Sequence, residues 1–465
     1  MRQYLSVHRY GDAMSVTAAS LRRSGRYQIL ATAEPVVLRP KNLKELQAIL
    51  NPESPHMPPF RPMGGNSAAT DCNTSAAGTV IDMAAFDTIV DIDSYNGKVT
   101  VQAGVRLGEL SDALAVHGME LDGSYDLMNR TVGGAVASGC IGPSIGESSG
   151  LFSAQVESMN IVTPTGTLLE IGSSQESLLN VFRLSYGMLG VIYQLTLNVR
   201  PITGFAATHR RCSLQQFSNA IEKLVRTNVG MKFFFLPFRD VVYLDLRRYD
   251  ADARATAKIP WKVKDWGEST VLPNVFKSLN RMIPVSGVRY HLIDRLSKVT
   301  QGIVSNRLVS SGSMATAQSG NRADVRALHY ATWFFPATDF SIIIKAYRDF
   351  CLRIREDTGF RCDMPTVGYR VSRDRSAVLS PSFDEPMIAL RAVSTQAKGW
   401  DDFVIDFADF ARHWGGFPVF NQTREVDPEY AREIFASRLE YFRKVRRQLD
   451  FEQRMMNPFL SQYFL

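Results

Sequence analysis

Apolar positions in the first 200 residues recur at two periods. Period-two runs predict short strands over 36–39, 78–83, 89–92, 98–104, 156–163, 167–171 and 190–199. Between them, a period near 3.6 predicts helices. One follows Pro40-Lys41-Asn42, with Leu43, Leu46, Ile49 and Leu50 on one face. A second covers 107–117, with Leu107, Leu110 and Leu114 aligned, and a third covers 174–186. A Gly-rich stretch over 123–150 reads as loop. The second half predicts strands at 231–236, 241–246, 325–334, 366–372 and 387–393, and helices at 339–357, 400–414 and 428–448. A Pro/Lys/Trp-bearing segment around 258–266 and a basic amphipathic region at 274–300 lie between, with a Ser-, Gly- and Ala-rich stretch at 310–322 expected to form a mobile loop. Strands and helices interleave without a regular βαβ rhythm, so the expected class is α+β rather than a doubly wound sheet.

At 465 residues the chain exceeds what one core usually serves, and two domains are expected. No segment offers the roughly 18 consecutive apolar residues of a membrane span, and the first residues lack a signal-peptide apolar stretch, so a cytoplasmic protein is expected and membrane association is not. Five widely spaced cysteines form no metal-ligand pattern and read as core thiols; no metal is expected. The net charge of +7 suits an anionic substrate or solubility equally. The run Arg443-Lys444-Val445-Arg446-Arg447 reads as a solvated helix face, and no basic and aromatic platform points to nucleic acid.

Two glycine-rich loops carry the candidate chemistry: Arg61-Pro62-Met63-Gly64-Gly65-Asn66-Ser67-Ala68, and Thr131-Val132-Gly133-Gly134-Ala135-Val136-Ala137-Ser138-Gly139. Glycines let a backbone approach a pyrophosphate and turn N–H groups toward it, and Ser67, Thr131 and Ser138 add hydroxyls. Neither loop has the GxGxxG spacing of a dinucleotide fold or the GxxxxGK[ST] of a phosphate loop.

With Pro35 to Pro40, Val101-Gln102-Ala103-Gly104, Thr163-Pro164-Thr165-Gly166 and Gly187 to Ile192 in the same order, residues 35–200 resemble the FAD-binding domain of the vanillyl-alcohol-oxidase/p-cresol-methylhydroxylase superfamily. Leu379-Ser380-Pro381, His413 to Pro418, Leu449-Asp450 and Asn457 to Leu460 resemble the aldonolactone oxidases, which include gulonolactone, arabinonolactone and alditol oxidases. The resemblance implies a bipartite FAD domain over 1–200 closed by a segment over 424–465, with a substrate-binding cap over 201–423. It implies FAD contacts from Arg61, Met63 to Ala68, Asp126, Thr131 to Gly134, Ser138, Gly139, Ile141, Val191, Ile192 and Asn457.

The chain departs from this pattern at reactive positions. Asn66 stands where relatives with covalent flavin carry histidine. A carboxamide is not a nucleophile, so FAD is expected to be non-covalent. Ile141 replaces a second histidine. The family's Glu-x-Arg corresponds to Gly368 and Arg370, and its His and Lys to Val419 and Gln422. The remaining candidates are Arg370 as an anion-holding group, Tyr330 for proton transfer, and Asn421 and Gln422 for substrate binding. His413 reads as a helix cap.

The expected function is an FAD-dependent oxidoreductase that takes hydride from a C–OH or C–N bond of a small molecule and reoxidises with O₂ or another acceptor. A tailoring step in specialised biosynthesis, with a substrate other than a plain sugar lactone, fits the altered residues. The alternatives are a membrane-associated sugar oxidase of the decaprenylphosphoryl-ribose type and a non-catalytic flavin-binding protein.

Overall fold

The computed structural model describes residues 34–465 except 76–77, 124, 126–127, 251–262, 265–266, 268–270, 305–307 and 312–327. The first half runs β1 (Val36–Leu38), α1 (Leu43–Leu50), β2 (Phe60–Met63), β3 (Thr79–Asp82), β4 (Ile89–Asp93), β5 (Lys98–Gln102), α2 (Leu107–Val116), β6 (Met119–Glu120), α3 (Val132–Ala137), β7 (Val156–Val162), β8 (Leu168–Ile171), α4 (Glu176–Phe182) and β9 (Val191–Asn198). The second half runs β10 (Arg200–Pro201), β11 (Phe205–Cys212), α5 (Leu214–Val225), β12 (Gly230–Leu236), β13 (Val241–Tyr249), α6 (Leu272–Met282), α7 (Ser286–Gly302), β14 (Leu308–Ser311), β15 (His329–Pro336), α8 (Phe340–Thr358), β16 (Thr366–Val371), β17 (Met387–Ser394), α9 (Trp400–His413), β18 (Phe417–Pro418), α10 (Pro428–Leu449) and α11 (Pro458–Phe464). The architecture is mixed α+β.

Each half builds its main sheets, and β6 of the first pairs with β10 of the second through Glu120 and Arg200. In the first, a small parallel sheet, β1-β3-β2, stands beside an antiparallel sheet, β4-β5-β9-β7-β8. In the second, eight strands form one sheet in the order β14-β11-β13-β12-β16-β17-β15-β18. The two faces of this sheet differ in kind. On one, Met231, Phe233 and Phe235 of β12 meet α5 and α8, where the Phe233 ring lies 4.9 Å from Phe217 and 6.0 Å from Phe340. Phe350, Phe403, Phe407 and Phe410 interlock between α8 and α9 behind them. The other face carries polar and charged side chains in register: His209 opposite Asp245, Asp245 opposite Lys232, and Lys232 opposite Tyr369.

One apolar cluster runs through both halves, from Val99 and Val101 of β5 to Phe335 of β15 and Phe464 of α11. Residues 450–464 return to the first half. Arg454 donates to the carbonyls of Leu50 (2.7 Å), Pro164 (2.5 Å) and Asn51 (3.2 Å).

Several local expectations change. The stretch 131–139, read as loop, contains α3. The Thr131 side chain caps it by accepting from Gly134 N, and burial of Val132, Ala135 and Val136 outweighs the low helix propensity of its glycines. The helix expected over 174–186 ends at Phe182, because Leu184 and Tyr186 take left-handed conformations (φ +54° and +51°). The basic region divides into α6 and α7. Arg443 and Arg446, read as solvated, are buried: Arg443 donates to the Tyr463 carbonyl (2.6 Å) and Arg446 to that of Asp450 (3.3 Å). Of the 310–322 stretch only the end of β14 is described, and of 258–266 only Val263 and Lys264.

Candidate active site

The two glycine loops form opposite walls of an open cleft. Met63 to Ala68 line one wall and Thr131, Gly133, Gly134 and Ser138 the other, with Ile192 and Asn421 completing the lining. Contact between the walls is tight. A Cβ on Gly64 would lie 2.1 Å from Thr131 Oγ1, and one on Gly139 would lie 2.3 Å from Val419 Cγ1. Only glycine allows this approach. Asn66 sits in a left-handed turn (φ +49°), which asparagine tolerates well, and its Oδ1 accepts from Asn73 Nδ2 at 3.0 Å.

The polar face of the eight-stranded sheet adjoins this cleft. The Tyr330 hydroxyl donates to the Ser67 carbonyl at 2.5 Å, and Gln422 Nε2 donates to the Gly139 carbonyl at 2.6 Å. Gln422 Oε1 accepts from Thr332 Oγ1 (2.9 Å) and Arg391 Nη2 (3.2 Å). Arg391 Nη1 in turn donates to the Tyr369 hydroxyl at 3.3 Å, and Lys232 Nζ lies 5.6 Å from the centre of the Tyr369 ring. Tyr369 therefore stands between two cations. Farther along, the Asp245–Arg247 pair (2.7 Å) adjoins His209. Burial, reinforced by Lys264, lowers the His209 pKa to about 4. For Asp245, burial acts upward but Arg247 outweighs it, leaving the carboxyl at about 2.

A family model described as D-arabinono-1,4-lactone oxidase matches residues 195–463, and one described as FAD binding domain matches residues 35–172. The chain belongs to the D-arabinono-1,4-lactone oxidase family. It is 27% identical over 205 residues to the mitochondrial L-galactono-1,4-lactone dehydrogenase of Arabidopsis thaliana, a match covering 44% of this chain and 33% of that protein. It is 28% identical over 208 residues to L-gulono-1,4-lactone dehydrogenase of Mycobacterium tuberculosis, covering 45% and 47%. The matched region thus spans between a third and about half of these relatives' length. A solved structure of cholesterol oxidase from Brevibacterium sterolicum shares the fold across both domains. Its TM-score is 0.74 at 13% identity, covering 92% of this chain and 94% of that one.

The cleft of this D-arabinono-1,4-lactone oxidase family member fits FAD by its own chemistry. Close-packed glycine backbone lines it, and buried polar atoms of Arg130 and Asn421 have no partner among the described residues. Met63 to Ala68, Thr131, Gly133, Gly134, Ser138 and Ile192 line the cleft and would hold the cofactor, while Gly139 packs on Val419 beside Asn421. No histidine stands at position 66, so no histidyl bond to flavin forms there. Val132, Ile141 and Val191 are core residues beneath the loops, and Asp126 lies outside the described residues.

Four expected site residues take other roles. Arg61 lines the cleft, but its guanidinium is spent on the carbonyls of Cys72, Tyr186, Gly187 and Met455. Burial lowers its pKa to about 10. Asn457 caps α11 through Leu460 N and donates to the carbonyls of Asp71 and Thr74, so it ties down the returning segment instead of touching the cleft. Arg370 faces the helical side. Its strand alternates so that Gly368 and Arg370 share the Phe233 face, and its guanidinium donates to the carbonyls of Val225 (3.1 Å) and Ser144 (3.3 Å). Tyr330 has its hydroxyl proton committed to Ser67 and acts as a strut between the domains.

On the polar sheet face, Arg391 is linked to the second loop through Gln422, Tyr369 follows Arg391 and Lys232 follows Tyr369, while Arg130 stands behind that loop. Lys232 and Arg391 were visible as lone charges inside the otherwise apolar runs Gly230–Leu236 and Met387–Ser394. Nothing in the sequence marked Arg130. Among the described residues no group of His, Cys, Asp and Glu could hold a metal, and no helix is long and apolar enough to cross a membrane.

Proposed function

We propose that the protein is an FAD-dependent oxidoreductase that removes hydride from the carbon of a C–OH group in a hydroxylated small molecule of the aldonolactone type. The observation that carries this is the junction of the glycine-lined cleft with a polar sheet face through Gln422, Arg391 and Tyr369. When bound, the flavin supplies the hydride acceptor. Arg391 and Lys232 favour negative charge developing on a substrate oxygen beside Tyr369, and Tyr369 is the group placed to take part in removing the hydroxyl proton. Gln422 fixes Arg391, and Asn421 and Ser138 border the same space. Asn66 keeps the cofactor non-covalent. The electrons then pass to O₂ or another small acceptor.

The test is anaerobic mixing of the yellow holoenzyme with L-galactono-, L-gulono- and D-arabinono-1,4-lactone and with related polyols and hydroxylated amines. Bleaching of the oxidised flavin band by a member of this panel, and its return on admitting O₂ or a dye, supports the reading. A flavin that dithionite reduces but none of these compounds bleaches argues for a binding protein instead.

A further inference from the structure

Two side chains lining the cleft carry buried polar atoms without a hydrogen-bond partner among the described residues: Arg130 through Nε and Nη2, and Asn421 through Oδ1. Arg130 is 4% exposed and Asn421 2%. Leaving such atoms unsatisfied costs about 1–3 kcal/mol each, more where charge is involved, so a ligand is expected to complete them.

The two stand together. Arg130 Nη1 donates to the Gly139 carbonyl at 2.9 Å, and a Cβ on Gly139 would lie 3.4 Å from Asn421 Oδ1. Asn421 Nδ2 is already spent on Ser138 Oγ at 3.2 Å, which leaves its oxygen as the open group. The position is also fixed relative to the cap. The Gly139 carbonyl that receives Arg130 also receives Gln422, whose amide oxygen takes Thr332 and Arg391. Arg130 therefore stands at the end of the cleft that meets the polar sheet face.

The chemistry of this pair narrows what it meets. A pyrophosphate satisfies a guanidinium but is repelled by an amide oxygen beside it. The pyrimidine edge of an isoalloxazine ring presents carbonyl, imide N–H and carbonyl in sequence, which offers acceptors to Arg130 and a donor to Asn421. We propose that Arg130 and Asn421 bind the pyrimidine edge of the flavin, with Asn421 Oδ1 accepting from the imide N–H and the Arg130 guanidinium donating to a neighbouring carbonyl. A fixed cation there stabilises the negative charge that two-electron reduction leaves on the ring. It thereby raises the flavin potential in a chain that lacks the histidyl bond at position 66. The inference rests on the cofactor assigned above and not on the substrate.

The test uses holoenzyme without substrate, so it stands whether or not a lactone reduces the flavin. Dye-equilibrated reduction and sulfite titration compare the parent protein with Arg130→Met, Arg130→Lys and Asn421→Leu. Arg130→Met is expected to lower sulfite affinity about tenfold, equivalent to ~30 mV in a two-electron potential. Arg130→Lys is expected to retain most of both values, and Asn421→Leu to release FAD faster. Unchanged potential and sulfite affinity in FAD-loaded Arg130→Met overturns the proposal. So does a loss of FAD affinity with the potential intact, which places the charge on the pyrophosphate. If Arg130→Met yields no holoenzyme, Arg130→Gln against Arg130→Lys decides: a lower potential for Gln supports the assignment and equal potentials overturn it.

Discussion

Single residues decide the reactivity here. With a carboxamide at position 66, acid precipitation of the holoenzyme is expected to leave the yellow flavin in the supernatant; a yellow pellet refutes the non-covalent assignment. Tyr369→Phe removes the hydroxyl that accepts from Arg391 and is expected to lower kcat by about 10²-fold while the flavin spectrum is unchanged. A Tyr369→Phe enzyme with parental turnover excludes this tyrosine from proton transfer. The glycines and Asn66 were legible because their loops follow the family's order. Tyr369, Arg391 and Lys232 were not singled out. A lone charge in an apolar strand marks a special position, but not whether that position faces a cofactor or a structural partner.

At the scale of elements, β16 shows where sequence reading fails for a physical reason. Both faces of the strand are covered, so hydrophobicity does not alternate and the facing of each side chain cannot be read from its pattern. Gly368 and Arg370, aligned with a catalytic pair, share the face that packs on Phe233, where Arg370 is spent on the carbonyls of Val225 and Ser144. The glycine is needed because the Phe233 ring fills the space. A Cβ there would lie 2.0 Å from Phe233 Cζ, and Gly368→Ala is expected to cost about 1–3 kcal/mol in denaturant unfolding through overpacking. A variant as stable as the parent refutes this placement. The helices α8, α9 and α10 fell where periodicity put them, since long elements with a strong pattern leave few alternatives, and the strands β12, β13, β16 and β17 fell within their apolar runs. The short α3 did not, because its capping threonine and tertiary burial outweigh its composition.

For the whole molecule, the apolar cluster shared by both halves makes stability a joint property. His209 is buried and held neutral, with its pKa lowered to about 4, facing Asp245, Arg247, Lys264 and Gln301. Its depressed pKa contributes stability that is present above the unfolded value near 6.5 and is lost as the pH falls toward 4. The loss amounts to about 3 kcal/mol. Tm measured across this interval is expected to fall less steeply in His209→Gln than in the parent; parallel curves exclude His209 as the cause. FAD bridging the two loops is expected to raise the Tm of apoprotein with increasing concentration, with about 2.7 kcal/mol gained at a hundredfold excess over Kd. The division into an FAD domain, a cap and a returning segment is what the resemblance implies. The contacts that join them, such as Tyr330 to Ser67, were beyond any periodicity.

The return of residues 450–464 also sets an order of events during synthesis. Arg61, at the root of the first glycine loop, finds one of its acceptors only in the Met455 carbonyl, and the turn at Asp71 to Thr74 is held by Asn457. A ribosome making this chain has released the whole first half, and the cap after it, before those partners emerge. The native backing of the first glycine loop is therefore complete only once the last residues have been made. A fragment ending before residue 450 lacks these acceptors and is expected to retain less FAD than the full chain, measured by flavin absorbance after purification, however complete its glycine loops.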